Sequence, residues 1–199
     1  MPRRPAGSPS LHLAEIVEAA ARVSDQKGYD KLTLSAVASE LNVKSPSLYN
    51  HMVSLDALRA RLAELACREL RHTCALATAG RSGKAAVLAM AHEWRRFAKA
   101  RPGLYAASVR LPDAPDEALL TEINLMMQLF ASLFLDYRLN AKNVIHAIRG
   151  LRSLLHGFIA IEAVGSFRLD VDLTESYTRS LECYLEGLNH RKGYGVSSK

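Results

Sequence analysis

Polar side chains crowd the eight residues KSPSLYNH at positions 44–51. Lys44 brings a cation, and a phenol, an amide and an imidazole follow at Tyr49, Asn50 and His51. These groups have the reach to hydrogen-bond to the phosphates or base edges of a nucleic acid. The sequence offers no nucleophile–base pair, metal cluster or phosphate-binding loop, so we expect binding rather than catalysis, with no cofactor and no metal.

Helices must position this segment. Apolar residues at three- and four-residue spacing predict a first helix that starts near Leu13 and stops near Gly28. A second helix is predicted over 34–41, with Thr33 as its cap. Asn42 then stands in a turn, as a residue type that tolerates a left-handed backbone.

Ser45 and Pro46 predict the start of a third helix, with Ser45 at the N-cap and Pro46 at the first helical position. Two helices joined by so short a turn form a helix-turn-helix. The second helix of such a pair enters a major groove with its N-terminal end, and Ser45, Pro46 and Ser47 keep that end slim. Two alternatives remain: Tyr49 is either a contact or a core residue, and His51 is either a contact or an ordinary surface residue.

The rest of the chain is also predicted to be helical, and no period-2 alternation marks a strand. A break at 78–83 suggests a domain boundary. Beyond it lie soft Met and flat aromatic side chains, which either line an apolar cavity for a small molecule or form ordinary core. The candidates for such an effector pocket are Trp94, Phe97, Tyr105, Met127, Phe130 and His156.

Charge and cysteine content limit the setting. The net charge is +6, which permits a nucleic-acid partner, but residues 1–71 hold ten Lys or Arg against eight Asp or Glu. Any DNA-contacting surface is therefore a local patch. Three cysteines and no uninterrupted apolar run predict a cytoplasmic protein without a membrane segment. The basic arm at Arg3 and Arg4 is either a minor-groove contact or a tail.

The segment from Leu13 to Leu58 resembles the DNA-binding domain of TetR-type transcriptional regulators. The resemblance lies in the following stretches, in this order: Lys27-Gly28-Tyr29, Leu32-Thr33-Leu34, Val37-Ala38, Leu41-Asn42-Val43, Ser47-Leu48-Tyr49-Asn50-His51 and Ser54-Leu55-Asp56-Ala57-Leu58. Farther on, Trp94–Tyr105 and Leu151–Phe167 are similar to the "WHG" type of TetR C-terminal domain, with Leu in place of that motif's Trp before His156-Gly157.

The resemblance implies phosphate contacts by Thr33, Lys44, Tyr49 and His51, and base contacts by Ser45, Pro46, Ser47 and Asn50. Three positions depart from the family pattern. Asn42 replaces the usual Gly, Met52 replaces an aromatic residue, and Leu55 replaces a Lys at the start of the fourth helix. The loss of that Lys removes a phosphate contact and predicts weak non-specific DNA affinity.

Together these observations predict an all-α, two-domain regulator. A helix-turn-helix DNA-binding domain is expected at 10–56, with a connecting helix at 54–77, and an effector-binding and dimerisation domain at 78–190. We expect a homodimer that binds a palindromic double-stranded operator and is released by a largely apolar small molecule. The alternative is a helical module that binds small molecules or proteins and has lost DNA binding.

Overall fold

The computed structural model describes residues 11–190, and of His190 only the backbone. The arm at Arg3 and Arg4 lies outside these residues. Within them the regular structure is helical and contains no strand, which confirms the predicted fold class. The helices are α1 (Leu13–Lys27), α2 (Leu34–Glu40), α3 (Ser45–Tyr49), α4 (Leu55–Thr78), α5 (Gly83–Ala100), α6 (Pro102–Val109), α7 (Glu117–Leu133), α8 (Ala141–Ala163) and α9 (Leu173–His190).

The described chain forms two packing units. The first contains residues up to Arg71 together with Ala100–Asn124, and the second contains His72–Lys99 together with the residues from Leu125 onward. Packing thus assigns α6 to the same unit as the helix-turn-helix. The functional boundaries expected at 10–56 and 78–190 stay a prediction.

The first unit buries one apolar stripe from each of its main helices. Ile16 and Ala20 of α1, Val37 of α2 and Leu48 of α3 are wholly buried. The longer helix α4 adds Leu58 and Leu62, and α6 adds Leu104 and Ala107. Burying a Val, Leu or Ile side chain stabilises the fold by about 1.5–3 kcal/mol, and burying an Ala side chain by less.

The second unit is built around aromatic and aliphatic side chains. Its large buried side chains include Val87, Met90, Trp94, Phe97, Phe130, Phe134, Leu151, Leu155, Tyr177, Leu181 and Leu185. The Tyr177 hydroxyl donates a hydrogen bond of 2.9 Å to the Ala91 carbonyl, so this fully buried ring keeps a polar partner.

Helix α8 is the one helix in the described part of the chain that is long and apolar enough to cross a membrane by length and composition. Its residues Ala147, Ile148, Leu151, Leu155 and Ile159 are buried in the second unit. This buried stripe accounts for part of the apolar composition of α8, whose other residues are exposed or half-buried.

Candidate functional site

Helix α2 begins at a side-chain cap, as predicted. The Thr33 hydroxyl oxygen accepts a hydrogen bond of 3.1 Å from the Ala36 N–H and lies 3.1 Å from the Ser35 hydroxyl. Thr33 is exposed, whereas Val37 and Ala38 on the opposite face of α2 are buried. The cap therefore holds the start of α2 at the surface while its apolar face packs against α1 and α3.

The turn between α2 and α3 depends on Asn42. Its φ of 55° lies in the left-handed region, as the sequence predicted. The Val43 N–H donates to the Ala38 carbonyl at 2.9 Å, and the Asn42 N–H donates to the Ser39 carbonyl at 3.1 Å. These bonds satisfy carbonyls at the end of α2 and turn the chain sharply into α3.

The start of α3 differs from the prediction at one position. Lys44, not Ser45, is the N-cap: its backbone is extended, and its carbonyl accepts the first bond of the helix from the Ser47 N–H at 2.9 Å. Ser45 is consequently the first helical residue and Pro46 the second. The prediction that the Ser45 side chain caps α3 was wrong, because the chain becomes helical one residue earlier and no side chain caps this end.

A single wholly buried residue, Leu48, anchors α3 to the unit. Tyr49 is 57% exposed, which excludes its alternative as a core tyrosine. Pro46, Ser47, Asn50 and His51 are exposed too, as is Lys44, and Ser45 is half-buried. The structure thus brings the predicted segment together as one accessible polar surface. Whether these side chains contact DNA stays a prediction.

The start of α4 lies directly beyond this surface. The Ser54 hydroxyl oxygen accepts a hydrogen bond of 3.1 Å from the Ala57 N–H and so caps the start of α4. Val53 is 84% exposed and Leu55 is half-buried. Arg59 is engaged with Asp56 at 3.3 Å. Apolar residues therefore flank the cap where the family pattern has a cation.

The candidate effector residues are only partly brought together. In the second unit the Trp94 ring lies 5.5 Å from the Phe130 ring and 5.7 Å from the His156 ring. Phe97 is buried and Met127 half-buried in the same unit. Tyr105 belongs to the first unit, half-buried on α6.

The His156 imidazole is held in its neutral form. Burial, with a smaller effect from the Arg152 guanidinium, lowers the pKa of His156 to about 4. The imidazole is therefore neutral at physiological pH and adds no charge to the aromatic cluster.

A buried ion pair was missed at the sequence level. The Arg95 guanidinium donates to both carboxylate oxygens of Glu162, at 2.8 and 2.5 Å, and to the Thr174 hydroxyl at 3.1 Å. Lys99 approaches Glu162 at 2.8 Å. No sequence signal could have found the pair, because Arg95 and Glu162 are 67 residues apart. In the described part of the chain no cluster of His, Cys, Asp or Glu could hold a metal ion.

Comparisons with known proteins agree with this geometry. The profile of the "Bacterial regulatory proteins, tetR family" matches residues 16–62, and that of the "Tetracyclin repressor-like, C-terminal domain" matches residues 87–184. An HTH-type transcriptional regulator of Bacillus subtilis, YobS, is 38% identical over 91% of this chain and 95% of its own length. A second HTH-type transcriptional regulator, from Mycobacterium tuberculosis, is 32% identical over 93% of this chain and 85% of its own.

Solved structures show the same fold. A protein of unknown function from Rhodococcus superposes with a TM-score of 0.75 at 20% identity, covering 92% of this chain and 99% of that one. A TetR variant of Acinetobacter baumannii in complex with minocycline gives 0.70 at 19% identity, covering 94% and 99%. The relatives are transcriptional regulators, which are not a class of enzymes. With both profiles and two extended relatives in agreement, the chain belongs to the TetR family and is a helix-turn-helix DNA-binding transcriptional regulator.

Proposed function

We propose that this regulator is a cytoplasmic homodimeric repressor whose two copies each place α3 in a major groove of a two-fold-symmetric operator. The observation that carries the proposal is the accessible polar surface of 44–51, held by the buried anchor Leu48. A short helix pinned by one apolar side chain leaves its other residues free to meet base edges and phosphates.

Roles within this surface follow from side-chain chemistry. Lys44 and the exposed Tyr49 hydroxyl suit phosphate oxygens, with Thr33 and His51 beside them. Ser45, Ser47 and Asn50 carry the small polar groups that reach base edges, and Pro46 offers an apolar contact to a thymine methyl group.

Dimerisation is supported by the outer faces of α8 and α9. Ile145 and Ile161 on α8 are 46% and 44% exposed. A groove of about 750 Å³ runs along the same two helices, with Ala147, Gly150 and Gly187 in its lining. Exposed apolar residues of this kind on a folded chain mark an interaction site. A second copy of the chain that packs against α8 and α9 would cover the exposed side of these two helices.

Effector binding is proposed for the second unit, beside Trp94, Phe130 and His156. A neutral imidazole and two aromatic rings favour a largely apolar or aromatic molecule. The solved complex of the Acinetobacter TetR with minocycline supports a small molecule of aromatic character as the kind of ligand. The ligand would favour the conformation in which the two reading helices no longer match successive grooves.

The proposal is tested by selecting DNA from a random pool with the dimeric protein. We expect an enriched palindrome, and we expect Lys44→Ala and Tyr49→Ala each to weaken its binding. Lys44→Ala should also make the slope of log K against log salt concentration shallower by about 0.9 per subunit, because one phosphate contact is lost in each copy. Arg81→Ala is the control, since it removes an exposed cation from the second unit. A folded dimer that enriches no sequence at low salt would refute the proposal.

A further inference from the structure

The carboxylate of Asp25 joins the end of α1 to the start of α6. Its Oδ1 accepts hydrogen bonds from the Gly103 N–H at 2.9 Å and the Leu104 N–H at 3.0 Å, and its Oδ2 accepts one from Arg101 Nε at 2.6 Å. Arg101 is the N-cap of α6, and its own side chain caps nothing. Asp25 therefore supplies, from 78 residues away, the cap that α6 lacks locally.

The two helices meet backbone to backbone at this point. A Cβ placed on Gly103 would lie 2.0 Å from the carbonyl carbon of Ser24, a distance that real Cβ atoms do not adopt. Ser24 and Leu104 are both wholly buried at the contact. Gly103 is therefore required for the approach that lets the Asp25 carboxylate reach the α6 amides.

Further ion pairs attach the same stretch of chain along its length. Arg101 also reaches Glu69 of α4 at 3.1 Å. Beyond α6, Arg110 pairs with Asp30, and the Arg110 guanidinium lies 5.4 Å from the centre of the Tyr29 ring. The exposed pairs contribute little singly. Toward α4, Leu119 is buried against Ala63 and Cys67, and Arg71 pairs with Glu122 at 2.9 Å. The close contact at Asp25 and Gly103 is what joins the segment to α1.

Chain connectivity gives this contact a consequence for DNA binding. The reading helix α3 lies in a unit that the chain leaves after Arg71, re-enters at Ala100 and leaves again after Asn124. While Ala100–Asn124 stays attached to α1, α1–α3 are joined to the rest of their own unit through both α4 and α6. If the contact between α1 and α6 is lost, α4 is left as the main connection of α1–α3 within that unit.

We propose that Asp25 is a positioning residue for DNA binding: its carboxylate clamps α6 to α1, so that α1–α3 and Ala100–Asn124 move as one body. The inference rests on the proposed homodimer. The α3 helices of the two copies must reach two half-sites at once. An α3 helix that is loosely held loses conformational freedom on binding, and this entropy loss lowers affinity although every DNA contact is kept.

The test compares Asp25→Ala and Asp25→Asn with wild-type protein on the palindromic duplex that the wild-type protein enriches. Asparagine keeps an Oδ1 acceptor for both amides but loses the charge, and its NH2 group replaces the Oδ2 that accepts from Arg101. Asp113→Ala is the matched control, an exposed carboxylate in the same unit. DNA affinity is measured by fluorescence anisotropy, and amide hydrogen exchange by NMR reports on Gly103, Leu104 and residues 33–51.

We expect Asp25→Ala to bind at least about tenfold more weakly, or about 1.4 kcal/mol. Asp25→Asn should recover part of the loss and Asp113→Ala none. Exchange should quicken at Gly103 and Leu104 while protection over 33–51 is kept. Unchanged affinity with those two amides unprotected would overturn the inference alone. If DNA affinity fell and amide protection over 33–51 was lost as well, the inference would also be overturned, because Asp25 would then only stabilise the folded unit. Failure of wild-type protein to enrich any DNA would instead overturn the proposed function, and this inference with it.

Discussion

Replacing Glu162 by alanine leaves the Arg95 guanidinium buried without its carboxylate. The Arg95 side chain is 8% exposed and loses two charge-assisted hydrogen bonds, at 2.8 and 2.5 Å. Its remaining direct contacts are the Thr174 hydroxyl and the faces of Phe158 and Tyr177, at 5.5 and 5.3 Å from the guanidinium carbon. The exposed Asp172 carboxylate contributes a weaker electrostatic attraction.

The magnitude follows from burial. Removing one partner of a buried ion pair costs about 3–5 kcal/mol, because the other charge stays desolvated. In a chain of this length each kcal/mol lowers the melting temperature by about 2–4 °C, so Glu162→Ala should melt roughly 6–20 °C lower. Arg95→Ala should cost less, because Lys99 still lies 2.8 Å from the Glu162 carboxylate.

The measurement is the free energy of unfolding by urea, with the melting temperature from circular dichroism. Glu175→Ala is the matched control: Glu175 pairs with Arg179 at the same 2.5 Å, but the two side chains are 55% and 74% exposed. An exposed pair contributes about 0–1 kcal/mol. If both variants lost the same small amount, burial would not govern the Arg95–Glu162 pair and the reasoning would fail.

Three further predictions concern pH, DNA electrostatics and thiol chemistry. Hydrogen bonding from Arg95 lowers the pKa of Glu162 to about 2 from its usual 4.5. About 3 kcal/mol of folding stability is therefore present above pH 4.5 and is lost as the pH falls toward 2. Urea titrations over this range should show a smaller loss of stability in Glu162→Gln than in wild-type protein, and equal losses would contradict this prediction. Leu55→Lys should raise operator affinity and steepen the slope of log K against log salt concentration by about 0.9 per subunit. Leu76→Lys at the far end of α4, where Leu76 is 63% exposed, should change neither quantity. Equal slopes for the two variants would count against a Leu55 that faces DNA. Burial raises the pKa of the Cys74 thiol far above its usual value. Mass spectrometry should therefore find that iodoacetamide alkylates Cys74 only after denaturation. Rapid alkylation of the native protein would mean that α4 opens at Cys74.

Much of the helix-turn-helix could be predicted from the sequence because its determinants are local. The Thr33 cap, the left-handed Asn42 and the Ser54 cap each act within a few residues of their own position. Leu48 is the one large aliphatic residue of α3, and it is the residue of that helix that lies inward. Even the one local error, at Ser45, moved the cap by a single residue.

Contacts between distant residues were decided only by the tertiary structure. The start of α6 at Pro102 is capped by a carboxylate at Asp25, and the position of Arg95 inside the second unit depends on Glu162. Periodicity reports which face of a helix is buried, but not which helix covers it or which charge pairs with it. The sequence by itself therefore determined the family, the exposed polar segment at 44–51 and the helix boundaries around it. Which segments pack together, including the attachment of α6 to α1, was decided by long-range packing and pairing of buried charges.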